Sequence, residues 1–75
     1  MKTIRHAGKW VRFISAYQGT NIYGVQDSAT REESRISRTE TGEYSATARD
    51  VSAAEISAVE AFRAAEDSEY NAWKA

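Results

Sequence analysis

Arg35, Arg38 and Arg49 bracket the turn-like TETGEY within the stretch RISRTETGEYSATAR. Arginine carries paired N–H donors that match phosphate oxygens, so nucleic-acid contact is the first chemistry this spacing raises. Side chains alternate along a strand. A strand over residues 34–39 therefore turns Arg35, Ser37 and Thr39 one way and Ile36 and Arg38 the other. The strand that follows turns Ser45, Thr47 and Arg49 one way and Tyr44, Ala46 and Ala48 the other. The exposed face then reads as hydroxyls flanked by Arg35 and Arg49, a set able to donate to phosphate. A solvated antiparallel face has the same composition, and with a net charge of −1 it is the simpler reading.

A second set lies in the C-terminal third, where Glu60, Glu66, Asp67 and Glu69 accompany Tyr70 and Trp73. Carboxylates on a rigid helix can stand where phosphates would and are steered toward basic clefts. Tyrosine and tryptophan are frequent binding anchors. These six residues form the candidate partner-binding set; their plainer duties would be helix solubility for the acids and core packing for the aromatics. Catalytic spacing is missing. His6 is the only histidine, read as an exposed N-terminal residue, and no triad or metal-ligand pattern surrounds it. Glu32 with Glu33, or Glu66 with Asp67, could serve as acid and base, but such clusters usually solvate loops and helix faces. The four glycines form neither GxGxxG nor a phosphate-binding loop. No enzyme activity, cofactor or metal is expected.

The rest of the composition narrows the setting. Residues 1–75 make a single domain, and one of this length buries only about 60% of the surface its unfolded chain exposes. The chain is 41% hydrophobic and 28% charged, without proline or cysteine, so disulfides and thiolate ligands are excluded. No apolar run approaches the roughly 18 residues of a membrane span. The start, MKTIRHAGKW, contains no apolar segment of about 7–15 residues, so no secretory leader is expected and the cytoplasm is the default compartment. Charge is uneven along the chain: residues 1–49 carry eight basic and five acidic side chains, residues 50–75 two basic and six acidic. Such polarity bears on partners rather than on fold.

The elements that must position these residues follow from periodicity. KWVRFISAY is rich in β-branched and aromatic residues and reads as a first long strand, with Val11, Phe13, Ser15 and Tyr17 on one face and Val11 and Phe13 favoured as core. QGTN supplies Gly19 and Asn21, which tolerate positive φ in a hairpin turn. NIYGVQD follows with Tyr23 and Val25 facing one way, then SRISRT and YSATARD as third and fourth strands. A short KTIRH could add an edge strand. After Asp50 the period lengthens: Ser52 and Glu55 make a capping box, and the alanine-rich stretch beyond favours helix. At 100° per residue Ala58, Val59, Phe62, Ala65, Tyr70 and Trp73 share a stripe that should cover the sheet, while Ser57, Glu60, Ala64, Asp67 and Asn71 face water. Glu66 and Glu69 sit near the stripe, which points to a kink at AEDSE or to salt bridges. The expected architecture is α+β: a four-stranded, mostly antiparallel meander over about residues 9–49, with one C-terminal helix over about 53–73 packed on one face.

GKWVRF near the start, with the strands and alanine-rich helix after it, resembles DNA-binding domains of the AP2 and integrase-arm kind, whose strands enter the major groove. That resemblance implies a small sheet-based DNA-binding protein. The chain departs from it in an extra strand pair, an acidic helix and a pI of about 5.8, well below the value above about 9 typical of nucleic-acid-binding domains. In its size, acidic C-terminal helix and lack of cysteine, proline and catalytic residues, the chain is similar to small phage-encoded inhibitors of the anti-CRISPR kind. That resemblance implies a non-catalytic protein-binding module from a phage or mobile element. It would occlude a basic nucleic-acid-binding surface of a bacterial defence complex, in the host cytoplasm, through Glu60, Glu66, Asp67, Glu69, Tyr70 and Trp73. The expected partner is then a larger bacterial protein or ribonucleoprotein, with the DNA-binding protein as the alternative. A sheet edge with no proline to blunt it also offers strand pairing to a second copy, a homodimer.

Overall fold

The computed structural model describes residues 3–74. In chain order the elements are β1 (Thr3–His6), β2 (Lys9–Tyr17), β3 (Thr20–Asp27), β4 (Glu33–Thr39), β5 (Tyr44–Ala46) and α1 (Ala53–Lys74). The strands form one antiparallel sheet in the order β1-β2-β3-β4-β5, and each pairs only with its sequence neighbours. The architecture is α+β with a C-terminal helix on one face, but the sheet has five strands rather than four. The added strand is the KTIRH segment, of which Lys2 lies outside the described residues. It pairs Ile4 with Val11 and Arg5 with Trp10, so that Ile4 packs on the core. Among the described residues the sheet runs from Thr3 to Ala46.

Two-residue loops join the first three strands. Ala7 and Gly8 have φ of 50° and 78°, Gln18 and Gly19 have 46° and 79°, the pattern whose twist matches flanking strands. The positive φ of the second hairpin therefore falls on Gln18 and Gly19. Asn21, expected to take part, is already in β3 opposite Arg38.

The helix-side face of the sheet contributes Val11, Tyr23, Val25 and Ile36, and the helix answers with Ala58, Val59 and Phe62; all seven are buried. Tyr23 sits at the centre, edge-on to Phe62 at 5.8 Å and to Phe13 at 5.7 Å between ring centroids, a favoured geometry for aromatic pairs. Phe13 closes that row at the solvent side and stays 39% exposed, which corrects its assignment to the buried core. A register shift between Phe13 and Ser15 then changes the parity of β2. Ser15 pairs with Ile22 and Tyr17 with Thr20, so Ser15 and Tyr17 lie on the face opposite Val11 and Phe13, as a bulge dictates.

The capping box forms as its spacing predicts. The Glu55 N–H donates to Ser52 Oγ at 3.2 Å, and the Ser52 N–H donates to Glu55 Oε1 at 3.0 Å. The helix then runs unbroken through AEDSE to Lys74, so no kink occurs there. Its buried residues, Glu55, Ala58, Val59 and Phe62, occupy only the first three turns or so. Tyr70 and Trp73, expected on the covering stripe, are 58% and 81% exposed. The reason is geometric: a helix of 22 residues is about 33 Å long, and its inward stripe runs out of apolar sheet beyond Phe62.

Candidate functional site

The projecting end of α1 gathers four of the six candidate residues. Glu66, Glu69, Tyr70 and Trp73 line a shallow cavity of about 370 Å3. Trp73 leans on Tyr70 with ring centroids 6.4 Å apart and planes tilted by 37°. The Lys74 ammonium lies 5.9 Å from the Tyr70 ring centre, within cation–π range. Spacings of three and four residues bring these side chains onto one flank, and residues 67–74 are all exposed. Asp67 belongs to the same exposed segment without lining the cavity.

Glu60 stands apart from that group. Rather than facing water unpartnered, it accepts from Arg38 Nε at 3.1 Å and from Arg63 Nη1 at 2.8 Å, and the Tyr44 hydroxyl donates to it as well. Arg38 also places its guanidinium 5.6 Å from the Tyr44 ring centre. Arg38 shares the Ile36 face, as alternation predicts, but its side chain is only 16% exposed and its partner is the helix. Glu60 is a tie between sheet and helix.

Arg49 also leaves the place expected for it. Strand β5 ends at Ala46, and Ala48 takes a φ of 62°, which turns the chain so that Arg49 bridges back to Ala46. Its guanidinium donates through both Nη atoms to Glu55, at 2.8 and 2.7 Å. Glu55 is only 7% exposed, and the Arg49 guanidinium, with help from the Ser52 N–H and hydroxyl, holds its carboxyl at a pKa of about 2. Arg35, Thr47 and Arg49 still line one shallow cavity of about 290 Å3 together with Ser34 and Ala46, but the Arg49 guanidinium there is already paired with Glu55. His6, expected to be exposed, is half-buried, with Nε2 3.0 Å from Ser57 Oγ.

Strand register builds a different basic surface on the open face of the sheet. Arg12, Gly24 and Arg35 are direct cross-strand neighbours on β2, β3 and β4, and the row beside them reads Arg5, Trp10, Gln26 and Glu33. The Glu33 carboxylate reaches over Gly24 to accept from Arg12 Nε at 3.1 Å and Nη2 at 3.2 Å. That bond holds the Glu33 carboxyl below the usual carboxylate range, with the field of Arg35 as a smaller contribution. Arg5 sits 5.6 Å from the centre of the Trp10 ring. Alternation along KWVRFISAY already places Trp10 and Arg12 on one face; what sequence reasoning missed was Arg35 joining them across a glycine, which only the register reveals. Among the described residues no group of three His, Cys, Asp or Glu is placed to hold a metal ion, and no helix is long and apolar enough to cross a membrane. Comparison of the chain with protein-family models, with curated proteins and with solved structures finds no match in any of the three.

Proposed function

We propose that the chain is a small non-catalytic binding module that docks the acidic, aromatic end of α1 onto a basic surface of a larger bacterial protein or ribonucleoprotein. Occupying such a surface would exclude the nucleic acid that the surface otherwise holds, so the outcome is inhibition by occlusion. The observation that carries this reading is the exposure of Tyr70 and Trp73 beside Glu66 and Glu69 on a helix segment that buries nothing in its own domain. Aromatic rings with two rotatable bonds anchor an interface at low entropic cost, and flanking carboxylates steer it toward positive charge. Tyr70 and Trp73 are the anchors, Glu66, Asp67 and Glu69 the steering charges. Glu60 belongs to the scaffold.

The test is capture from a nuclease-treated bacterial lysate by the wild type, by Trp73→Ala and by the Glu66→Lys, Glu69→Lys double variant, followed by kinetics with the captured partner. The double variant is expected to associate at least about ten-fold more slowly at low salt, because steering depends on the sign of the surface field. Trp73→Ala is expected to dissociate faster. Both variants should keep the wild-type circular dichroism spectrum. Equal capture by all three proteins would remove the role given to this end of the helix.

A further inference from the structure

On the open face of the sheet the Glu33 carboxylate lies over Gly24 and pairs with Arg12. Gly24 is buried yet has no side chain, leaving a notch between Arg12 and Arg35. Glu33 lies in that notch: a Cβ added to Gly24 would meet Glu33 Oε2 at 2.8 Å and Ile14 Cδ1 at 3.2 Å. Arg12 grips the carboxylate through two nitrogens, the fork geometry that suits phosphate equally well. Arg35 makes no ion pair among the described residues. Directly beside the notch, Thr3, Trp10, Arg12, Gln26 and Glu33 line a cavity of about 180 Å3, with room for one planar ring system against Trp10. The strands of this face carry Arg5, Arg12 and Arg35 against the single carboxylate of Glu33. The chain's net charge of −1 thus conceals a basic face, because most of the acids sit on or near the helix.

We propose that this face binds single-stranded nucleic acid, with a backbone phosphate displacing Glu33 from between Arg12 and Arg35 and an unstacked base entering the cavity against Trp10. A cation pair beside an aromatic wall is the pairing that single strands use, phosphate to arginine and base to ring. A duplex keeps its bases stacked on one another and offers Trp10 no ring face. Glu33 acts as an internal competitor: it keeps the arginines occupied until a phosphate replaces it. This surface is separate from the end of α1, so each can fail without the other.

The test is fluorescence anisotropy of a labelled 15-nucleotide oligothymidine at 50 and 150 mM NaCl. Glu33→Gln removes the competing charge while preserving shape, and the exposed ion pair it breaks contributes little to stability; this variant is expected to bind at least about five-fold more tightly than the wild type. Arg12→Gln and Arg35→Gln are each expected to weaken binding and to lower the slope of log K against log salt by about 0.7. Trp10→Ala is expected to weaken binding about ten-fold with the slope unchanged, since stacking releases no counterions. Trp73→Ala should bind the oligonucleotide as the wild type does. No binding by either wild type or Glu33→Gln at 50 mM NaCl would overturn the proposal, as would wild-type affinity in Glu33→Gln. Better competition by duplex DNA or by polyglutamate than by unlabelled oligothymidine would assign the face to another occupant.

Discussion

Glu55 concentrates several roles in one side chain. It caps the helix through Ser52, pairs with both terminal nitrogens of Arg49 and is nearly buried. Its carboxyl is held at about 2 from the ordinary 4.5. A depressed carboxyl contributes stability that is fully present above its unfolded pKa and is lost as pH falls through its folded pKa. The window for Glu55 therefore runs from about pH 4.5 down to about pH 2. The linkage amounts to no more than about 3 to 4 kcal/mol. Glu55→Gln keeps the volume and a capping oxygen but loses the charge. Urea denaturation at pH 7 should find the variant about 2 to 3 kcal/mol less stable, with the difference closing toward pH 2. Asp27 and Glu33 are depressed as well, so the variant keeps part of its acid sensitivity. A gap that is independent of pH would mean that Glu55 stabilises by packing rather than by charge. Ser52 and Glu55 were legible as a capping box because that motif is local; Arg49 was not, because its approach depends on the positive φ of Ala48.

At the scale of the element, α1 divides into an anchored and a projecting half. Phe62 is fully buried against Tyr23, and Phe62→Ala should cost about 3 to 5 kcal/mol, enough to unfold a domain of this size. Removing residues 67–75 takes away no buried side chain among the described residues, so the truncated chain should stay within about 1 kcal/mol of the wild type. Thermal denaturation of both variants checks the division. A truncation as damaging as Phe62→Ala would show that the projecting half supports the fold, contrary to its exposure. The 3.6-residue period identified the whole stripe from Ala58 to Trp73, and the helix does keep that face aligned. Periodicity reports direction but not the extent of the surface opposite, which is why Tyr70 and Trp73 read as core and stand in solvent. The kink or salt bridges expected at AEDSE had the same origin: the helix runs through unbroken, and Glu66 and Glu69 line the cavity with Tyr70 and Trp73.

The sheet is a meander in which every strand pairs with its neighbour in sequence, so the step that joins distant segments is the docking of α1 onto β1, β2 and β3. Refolding from urea is expected to be a single exponential on the millisecond scale. With no proline in the chain, no phase of tens of seconds from prolyl isomerisation should appear. Stopped-flow tryptophan fluorescence measures both; a populated slow phase would point to association or to a misregistered sheet. The fold also separates charge by layer. Basic side chains from separate strands are collected on the open face, while the acids of α1 remain on the other side or at the helix end.

What the sequence determined alone is local: a run of β-branched residues that forms strands, glycines that turn them, and a capped, alanine-rich helix packed on one face. Such features depend on residues a few positions apart, and they appear where their spacing put them. The tertiary structure decided the rest. It admitted a fifth strand because Ile4 could pair with Val11 and reach the core. It inserted a bulge that moved Tyr17 to the open face, and it paired Arg49 with Glu55 and Glu60 with Arg38. It also set Arg12 and Arg35 on either side of Gly24, an arrangement of residues from three strands that no local spacing encodes. Alternation says which residues share a face; register and the finite area of the core say which of them meet, and which are left for a partner.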